Sequence, residues 1–572
     1  MNKRLGNPGW SWRSRVVGGF LCLLGLALVV RAVHLQVFDK GFLHGQAQDR
    51  HLRVLETPAH RGMILDRHGE TLAASTPVDS IWVNPAPFLA QQGSVERLAA
   101  ALRIPPSRLR EKLKVREGRE FVYVQRHLPP HEAKQILALK LPGLYAQREY
   151  RRYYPTSEIS AQLLGFTNID DRGLEGLELS YDSWMAGQPG SRRVLIDAGK
   201  KVIDELGAIR EARPGRDLQL SIDRRIQYLA YRELKAAVVA NQAKAGTMVV
   251  LDPRTGEILA MVSQPGFNPN NREGISPGLT RNRAVIDLFE PGSTLKPFVV
   301  ATALEQGLFK PTSVIDTNPG WFTVQGNPIR DLHNYGVLDL GGILAKSSNV
   351  GASRIALAMP AERLWSVLRD YGFGEMTASG FPGERGGTLR HFQDWRPIDH
   401  ATVAYGYGLS TTALQLASAY AVIANGGERR PVSFFRAKQL PPAHRVIRPT
   451  TAAEVSQMLE RVVREGTATA AAVPGYRVAG KTGTARKSGV GGYAERRYQA
   501  VFAGYVPASR PRLVAVVVID EPSAGAYYGG AVAAPVFSRV MAGALRLMEI
   551  PPDDLPEGAG FVHSAGDAEE LG

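Results

Sequence analysis

A run of apolar residues opens the chain. Residues 16–30, VVGGFLCLLGLALVV, contain only apolar side chains and glycine. This run alone is short, because a helix needs about 20 residues to cross a bilayer core. The apolar pattern continues to Phe38 and is interrupted by Arg31, His34 and Gln36. A long arginine side chain can carry its charge to the membrane surface or face a partner helix, so we predict one transmembrane helix over residues 16–38.

The flanks of this segment favour an uncleaved anchor over a cleaved signal peptide. A signal peptide would need a small-x-small cleavage site near residue 32, and the sequence RAVHLQV offers none. Residues 1–15 carry four basic side chains and no acidic one. Because positively charged flanks stay in the cytoplasm, residues 1–15 are predicted to form a cytoplasmic tail, and residues 39–572 are predicted to lie outside.

Residues 39–215 combine short strand-like runs with turns. The run RGMILDRHGETLA predicts a β-hairpin bracketed by Asp66 and Gly69, and PPHEAKQILALK predicts a helix that begins at proline. No Cys/His cluster or pair of carboxylates stands out in this part of the sequence. We therefore predict a non-catalytic pedestal or dimerisation-type domain over 39–215, with its boundary where the composition changes, near residues 211–223.

The pattern after residue 215 predicts an α+β domain over residues 216–548. Strand-like runs stand at both ends of this region, and helical patterns with loops fill residues 290–465. The strands are predicted at 247–252, 257–262, 476–485, 498–507 and 511–522. The first two are joined by the turn Pro253-Arg254-Thr255-Gly256. We expect an antiparallel sheet whose strands come from distant parts of the sequence.

Two helices and a tail complete this domain. Residues 226–240 have an amphipathic helical pattern, and residues 533–548 predict a closing helix that covers the sheet. The acidic segment 549–572 also contains several Gly and Pro residues, and it predicts a disordered tail.

Composition narrows the possible functions. The chain has 69 Lys and Arg against 54 Asp and Glu, a formal net charge of +15. The basic residues are dispersed without a run of five, and no nucleic-acid-binding motif accompanies them. Such an excess suits an anionic lipid or cell-wall surface at least as well as DNA, so we predict no nucleic-acid partner. Cys22 is the only cysteine, which excludes an intrachain disulfide and a cysteine-based metal site.

Ser293 and Lys296 form the first candidate catalytic pair. They follow the turn Pro291-Gly292 at a predicted helix start, where residues three apart share a face. A serine hydroxyl is a poor nucleophile until a base removes its proton, and a lysine acts as that base when burial or another cation lowers its pKa. The helix N-terminus adds N–H groups beside the reacting carbonyl. This motif also arises by chance, so a capping role for Ser293 stays open on the motif alone.

Two further motifs follow in sequence order. Ser347-Ser348-Asn349 and Lys481-Thr482-Gly483-Thr484 complete the series Ser-x-x-Lys, Ser-x-Asn, Lys-Thr-Gly of penicillin-binding proteins and serine β-lactamases. Ser180-Tyr181-Asp182 and Ser221-Ile222-Asp223 imitate the second motif but precede Ser293 in the sequence. Lys487-Ser488-Gly489 imitates the third. We prefer Lys481 because a strand-like run precedes it, whereas SGVGGY after Lys487 predicts a Gly-rich loop, and a strand edge is needed to hold an extended peptide.

Over nearly its whole length the sequence resembles a class B penicillin-binding protein. Beyond the three motifs, the resemblance lies in Arg61-Gly62, Asp66-Arg67-His68-Gly69, the run GLEGLE at 173–178, GYGLS at 406–410 and Gly466-Thr467-Ala468. The runs FEPGS at 289–293, SSNVG at 347–351 and YYGG at 527–530 resemble the septal branch of the family. Asn349 stands where the elongation-specific branch usually has Asp. Gly69 is a minor departure, since the family often has Asn there.

The resemblance implies a serine β-lactamase-like transpeptidase fold, in which helices cover a five-stranded antiparallel sheet. It implies that Ser293 attacks the carbonyl of the penultimate D-alanine in a stem peptide ending in D-Ala-D-Ala. Lys296 would take the serine proton, and Ser347 and Lys481 would relay protons to the leaving amine and keep Lys296 neutral.

The remaining motif residues are implied to bind the substrate. Asn349 would bind a substrate amide, and Thr482 and Thr484, with Gly483 between them, would hold the terminal carboxylate. The backbone N–H groups of Ser293 and Thr484 would form the oxyanion hole. An amine from a neighbouring stem peptide would then form the cross-link, and β-lactams would acylate the same serine.

Several outcomes stay open at this point. In a transpeptidase an amine attacks the acylated serine, and in a carboxypeptidase or β-lactamase water does so. In a sensor the acyl group stays on the serine. An elongation-type enzyme and a divisome scaffold with little turnover are the alternatives to a septal transpeptidase. The anchor, the large N-terminal module and the septal signatures favour transpeptidation, and residues 40–215 carry no acidic signature of a glycosyltransferase domain.

The resemblance also implies partners and a location. The partners are peptidoglycan stem peptides, β-lactams, an FtsW-type lipid II polymerase that contacts the membrane helix, with Arg31 as a candidate contact, and other division proteins. No metal or organic cofactor is implied. The location is the bacterial inner membrane at the division septum, with the catalytic domain in the periplasm.

Overall fold

The structure is a computed structural model that describes residues 8–38, 52–116, 118–196, 202–489 and 492–555. The predicted cytoplasmic tail up to residue 7, the start of the predicted pedestal at 39–51 and most of the predicted acidic tail, at 556–572, lie outside the described residues.

The strands, numbered in chain order, include short two-residue ladders as well as long sheet strands. They are β1 (Leu52–Thr57), β2 (Ile64–Leu65), β3 (Thr71–Val83), β4 (Val122–Leu128), β5 (Leu144–Tyr153), β6 (Gly190–Ile196), β7 (Val202–Arg210), β8 (Leu218–Gln219), β9 (Ala245–Leu251), β10 (Ile258–Gln264), β11 (Val314–Asp316), β12 (Trp321–Val324), β13 (Asn327–Arg330), β14 (Val337–Asp339), β15 (Thr388–Leu389), β16 (Leu409–Ser410), β17 (Glu428–Arg429), β18 (His444–Arg445), β19 (Ala479–Gly489), β20 (Gly492–Val506) and β21 (Leu513–Asp520).

The α-helices are numbered in the same way. They are α1 (Pro8–Val33), α2 (Pro85–Ala90), α3 (Ser94–Leu102), α4 (Pro106–Lys114), α5 (Pro130–Leu137), α6 (Ala161–Leu164), α7 (Gly176–Ser180), α8 (Asp182–Met185), α9 (Arg224–Ala240), α10 (Pro277–Thr280), α11 (Arg283–Ile286), α12 (Lys296–Glu305), α13 (Leu340–Lys346), α14 (Asn349–Leu357), α15 (Ala361–Asp370), α16 (Pro397–Val403), α17 (Ala413–Ala424), α18 (Pro449–Glu465), α19 (Gly529–Val532) and α20 (Ala534–Leu547).

Helix α1 is long and apolar enough to cross a membrane. It begins at Pro8, ahead of the predicted start at residue 16, and continues as a π-helical turn to Phe38. Within the segment Trp12–Gln36 the mean hydropathy reaches 2.4, and no residue of this most apolar part is buried. The segment Gly529–Leu547 passes the same length and hydropathy test but is half buried. Because Phe537 in α20 has no exposed surface, this second segment, which spans α19 and α20, belongs to the core of the folded domain.

Two compact units alternate along the chain. The first comprises Met1–His60, Pro77–Tyr150 and Gly187–Gly215, and the second comprises Arg61–Thr76, Arg151–Ala186 and Arg216–Gly572. Residues 61–76 and 151–186, which precede residue 216, therefore belong to the same compact unit as the C-terminal domain.

The first unit contains a three-stranded antiparallel sheet of order β1-β6-β7. It also has a hydrophobic core of its own. In that core, residues 79–83 of β3 pair with β4, and the small helices α2 to α5 cover them. Its fully or nearly buried side chains include Ile81, Val83, Phe88, Leu98, Leu109, Leu113, Val122 and Ile136. Helix α5 confirms the helix predicted from PPHEAKQILALK.

The second unit is built on a five-stranded antiparallel sheet of order β10-β9-β21-β20-β19. All five predicted strands are present in it, and the first and last parts of the domain supply them, as predicted. Every residue of β9 is buried, and β21 is buried except at its last residue. Because successive side chains point to opposite faces, both faces of the sheet are covered, with α9, α17 and α20 among the helices that pack on it. The α+β prediction is confirmed.

Short strands between residues 290 and 465 were not predicted. β11 pairs with β14 and β12 pairs with β13 as two-stranded ladders of three or four residues. Strands this short give no alternating pattern long enough to distinguish them from loops. The end of the chain also differs, since the side chain of Asp553 accepts hydrogen bonds from the backbone N–H groups of Arg477 and Ser509. Residues 549–555 thus extend the folded domain beyond the predicted end at 548.

A buried carboxylate connects two of the stretches that carry the family resemblance. Glu178 is wholly buried, and its oxygens lie 2.7 Å from Arg61 Nη2 and 2.6 Å from Arg152 Nε. Both arginine side chains are 1% exposed. Arg61 also contacts Asp182 at 2.6 Å. A charge so deep in the protein is tolerated only when it is paired, so each of these groups depends on the others.

Glu178→Gln should strongly destabilise this unit, because it removes the counter-ion of the buried Arg152 and leaves the buried Arg61 with Asp182 alone. We expect the free energy of unfolding to fall by about 3–5 kcal/mol. Glu375→Gln, which removes a half-exposed partner of Arg369, is the matched control and should cost at most about 1 kcal/mol. Thermal unfolding of the full-length protein in detergent, followed by circular dichroism, compares the two, and equal losses would contradict a special role for Glu178.

Candidate functional site

Ser293 lies in a tightened first turn of a buried helix. Residues Gly292–Leu295 form a 3₁₀ turn that continues directly into α12. In a 3₁₀ turn, side chains three residues apart eclipse one another, which brings Lys296 Nζ to 3.0 Å from Ser293 Oγ. The predicted pairing of these two residues is therefore present in the structure, and the N-cap of the turn is Pro291 rather than Ser293.

Buried contacts hold this turn in place. Thr294 Oγ1 donates to the carbonyl of Pro291 at 2.7 Å, and the Tyr420 hydroxyl on α17 donates to the carbonyl of Thr294 at 2.8 Å. The N–H of Gly292 donates to the carbonyl of Gly406 at 3.2 Å. A side chain at residue 406 would place its Cβ 2.0 Å from the Gly292 carbonyl oxygen, so only glycine allows this approach.

The second motif meets the first at the lysine side chain. Lys296 Nζ lies 2.8 Å from Asn349 Oδ1 and 3.1 Å from Ser347 Oγ, and it donates to the Ser347 carbonyl at 2.5 Å. Lys481 Nζ from the third motif lies 3.0 Å from the same Ser347 Oγ. The hydroxyl of Ser347 therefore bridges two lysines, and all five predicted catalytic residues form one connected cluster.

Burial controls the charge of both lysines. Lys296 and Lys481 have no exposed surface. Burial, and then the charge of Lys481, hold the pKa of Lys296 well below its ordinary value. Burial lowers the pKa of Lys481 to about 7. Both shifts favour the uncharged amine, and they place a side chain that can accept a proton next to the Ser293 hydroxyl.

A sharp backbone turn presents the Ser-x-Asn motif. Ser347 ends α13 in the left-handed conformation, with φ 58° and ψ 39°. For a residue other than glycine this conformation costs roughly 1–2 kcal/mol, and such strain is concentrated at functional sites. Ser348 then caps the next helix, because its hydroxyl accepts the N–H of Gly351 at 2.9 Å. The first and second serines of the motif thus differ in role, one facing the lysines and the other starting α14.

Asp331 fixes this turn and was missed by the sequence analysis. Its carboxylate accepts hydrogen bonds from the Ser348 hydroxyl and from the backbone N–H groups of Asn349 and Val350. Asp331 follows the short strand β13, and no periodicity or motif marks it. A single acidic residue in a loop gives no signal by which a sequence could connect it to a turn that begins 17 residues later.

Strand β19 carries the third motif beside the nucleophile turn. A Cβ added at Gly483 would lie 2.8 Å from the Pro291 carbonyl and 2.9 Å from Thr294 Cγ2, so glycine allows the strand to touch the turn. The strand is longer than predicted, since β19 continues through Lys487 to Gly489 and residues 487–489 are not a loop. Lys487 is distinguished instead by its contacts, because it pairs with Asp520 and Glu521.

The cluster opens into a cleft of about 600 Å³. Ser293, Ser347 and Asn349 lie along it, and Thr482 and Thr484 from β19 line it as well. The other lining residues are Asp331, Leu332, Tyr335, Lys346, Thr467, Thr469, Tyr528, Gly529, Gly530 and Ala531. Thr482 Oγ1 contacts Thr467 Oγ1 at 2.8 Å, and Thr484 Oγ1 accepts the Gly529 N–H at 3.1 Å.

Two stretches quoted for the family resemblance thus border the cleft, although the sequence analysis gave them no role. They are Gly466-Thr467-Ala468 and the YYGG run at 527–530. Among the described residues, no group of three or more His, Cys, Asp or Glu side chains is arranged to hold a metal ion.

Two known domain families match the two folded parts of the chain. Residues 246–542 match the penicillin-binding protein transpeptidase domain, and residues 56–220 match the penicillin-binding protein dimerisation domain. Among solved structures, the transpeptidase domain of Burkholderia pseudomallei penicillin-binding protein 3 superimposes with a TM-score of 0.55 at 45% identity, covering 59% of this chain and 98% of that one. Penicillin-binding protein 3 of Mycobacterium tuberculosis, complexed with aztreonam, gives 0.68 at 29% identity over 87% of this chain and 98% of that one.

Curated relatives match over almost the whole length. The peptidoglycan D,D-transpeptidase FtsI of Escherichia coli is 43% identical, over 96% of this chain and 94% of the relative. The probable peptidoglycan D,D-transpeptidase PbpC of Pseudomonas aeruginosa is 41% identical, over 96% and 97% of the two chains. Together with the three assembled motifs, these matches show that the chain belongs to the class B penicillin-binding proteins, alongside the FtsI-type transpeptidases.

Proposed function

We propose that this protein is a D,D-transpeptidase that cross-links peptidoglycan stem peptides at the division septum through an acyl-enzyme on Ser293. The observation that carries the proposal is the 3.0 Å contact between Ser293 Oγ and the buried amine of Lys296. A serine beside an unprotonated amine, at the edge of an open cleft, is an activated nucleophile.

In the first step, Lys296 takes the proton of Ser293 as the oxygen attacks the carbonyl of the penultimate D-alanine. The peptide bond to the last D-alanine breaks, and its amine leaves with a proton relayed from Lys296 through Ser347, with Lys481 beside it. The contacts of Ser347 Oγ with both lysines, at 3.1 and 3.0 Å, support this route. The product is an ester between Ser293 and the donor stem peptide.

Backbone and side-chain groups around the serine stabilise and hold the substrate. The N–H groups of Ser293 and Thr484 form the oxyanion hole, and the approach of Gly292 to the backbone of Thr484 supports this assignment. Asn349 binds a substrate amide. Thr482 and Thr484 hold the terminal carboxylate close to Lys481, and β19 lies at the end of its sheet, where an extended peptide can add along the open edge.

In the second step, an amine from a neighbouring stem peptide attacks the ester. Its proton passes to the Lys296 amine, the ester bond breaks, and Ser293 recovers its proton. β-Lactams resemble the D-Ala-D-Ala unit and acylate the same serine. We assign the septum as the site of action because of the FtsI-type relatives and Asn349.

The proposed organisation places the active site outside the cytoplasm. In it, residues 1–15 form a cytoplasmic tail, 16–38 the anchor, 39–215 the pedestal, 216–548 the transpeptidase domain and 549–572 an acidic tail. Residues 61–76 and 151–186 of the pedestal belong to the same compact unit as the transpeptidase domain, and so do residues 549–555 of the tail. The unburied apolar helix α1 supports the anchor. We propose an FtsW-type polymerase as the partner of this helix, with Arg31 as a contact, and other division proteins as partners of the pedestal.

Replacing the nucleophile should abolish the penicillin adduct. Mass spectrometry of the full-length protein incubated with benzylpenicillin should show one added penicilloyl group in the wild type and none in Ser293→Ala. Ser180→Ala, in a stretch that imitates the second motif, should retain the adduct. An adduct that persists in Ser293→Ala, or that maps to another serine, would refute the assignment.

The two lysines of strand β19 give a matched test of the third motif. Lys481→Ala should slow acylation of Ser293 by about 10²–10⁴-fold, because the proton relay loses one member. Lys487→Ala removes the same charge from the same strand but only breaks pairs with Asp520 and Glu521. Its acylation rate, measured with a fluorescent penicillin, should stay close to that of the wild type, and equal losses in both variants would contradict the choice of Lys481.

The pH dependence of acylation should report the protonation of Lys296. Because only the unprotonated amine can act as base, the rate should fall as the pH drops through the pKa of Lys296. The positive charge of Lys481 destabilises the protonated form of Lys296. Removing that charge should therefore raise the pKa of Lys296. In Lys481→Ala, the residual acylation rate should therefore show an acid limb displaced to higher pH. A limb that stays in place or moves to lower pH would be inconsistent with this coupling.

A further inference from the structure

Two formally charged side chains line the described part of the cleft, Asp331 and Lys346. The catalytic lysines are buried, with no exposed surface, and are not among the lining residues. Asp331 and Lys346 are therefore the formally charged groups that the described cleft lining offers to an ionic group of a substrate. Neither residue belongs to the three motifs.

The carboxylate of Asp331 already accepts hydrogen bonds from other groups of the protein. One carboxylate oxygen accepts the N–H groups of Asn349 and Val350, and the other accepts the hydroxyl of Ser348. A carboxylate that satisfies three donors of the turn has little capacity left for a ligand, and its charge is compensated by those donors.

The side chain of Lys346, unlike that of Asp331, has no such partner among the described residues. Lys346 is the last residue of α13 and is exposed, and among the described residues its side chain makes no hydrogen bond or ion pair. The positive charge of Lys346 contributes to lowering the pKa of Glu465. The carboxylate of Glu465, however, forms its ion pair with Arg461, four residues earlier on α18. The positive charge of Lys346 interacts favourably with the carbonyl end of α13, which explains a lysine in the last turn of this helix. This interaction does not explain why the side chain lines the cleft.

We propose that Lys346 binds a carboxylate of the acceptor stem peptide and so selects amines that carry an adjacent carboxylate. This inference rests on the proposed transpeptidase function. The donor peptide is assigned to strand β19 and its terminal carboxylate to Thr482 and Thr484. The part of the cleft beside Lys346 is then left for the second substrate, whose amine must reach the acylated Ser293.

The test compares two acceptors, one with a carboxylate beside its amine and one with an uncharged carboxamide in the same place. Full-length protein in detergent is acylated with a thiolester analogue of the D-Ala donor, and a D-amino acid competes with its own carboxamide as acceptor amine. The ratio of kcat/KM for the two acceptors should fall roughly threefold to tenfold in Lys346→Gln, and further in Lys346→Glu. Lys346→Arg should keep most of the preference. Added salt should reduce the wild-type ratio and leave that of Lys346→Gln unchanged.

Lys310→Gln is the matched control, because it removes one exposed charge from the same compact unit away from the cleft. It should keep the wild-type ratio. An unchanged ratio in both Lys346→Gln and Lys346→Glu, or an equal change in Lys310→Gln, would overturn the assignment. These results are distinct from failure of the proposed function, in which the wild-type protein would form no Ser293 adduct at all.

Discussion

The burial of two lysine amines around one serine hydroxyl is the constraint on which the site depends. An ammonium group without exposed surface is costly unless it is paired, and no carboxylate of the described residues forms an ion pair with Lys296 or Lys481. The fold resolves the cost by lowering the pKa values of both groups. The base that the nucleophile needs is therefore a consequence of packing.

That packing requires elements far apart in the sequence. α12 supplies Lys296, the turn between α13 and α14 supplies Ser347, and β19 supplies Lys481. Close backbone approaches at Gly406 and Gly483 leave no room for a side chain between these elements. The position of β19 at the end of the sheet also matters, since an inner strand would have no open edge for a peptide. Dense packing on one side of the serine and an open cleft on the other are both needed.

The sequence predicted those parts of the fold that have long patterns. The strands β9 and β21 are rich in apolar residues, and the first and third motifs lie at the helix start and on the strand predicted for them. Contacts between distant loops could not be predicted, because Asp331 lies in a short polar segment whose partner turn is defined only in three dimensions. The extent of β19 was also misjudged, since glycines at 489 and 491–492 indicated a loop where the strand pairing continues to Gly489. The alternation of the two compact units along the chain has no signature in composition.

The chemistry of the cleft lining bears on which nucleophile resolves the acyl-enzyme. Hydrolysis at a useful rate needs a group that activates water beside the ester, and a carboxylate is a common choice. In the described part of the lining, Asp331 is the carboxylate present, and its oxygens are occupied by donors of the Ser348–Val350 turn. An amine is a stronger nucleophile than water and needs a base only to take its proton as it attacks, which Lys296 provides. The amine of Lys296 beside the ester is thus suited to transfer to an amine, and the balance between an amine and water as the second nucleophile distinguishes a transpeptidase from a β-lactamase with the same three motifs.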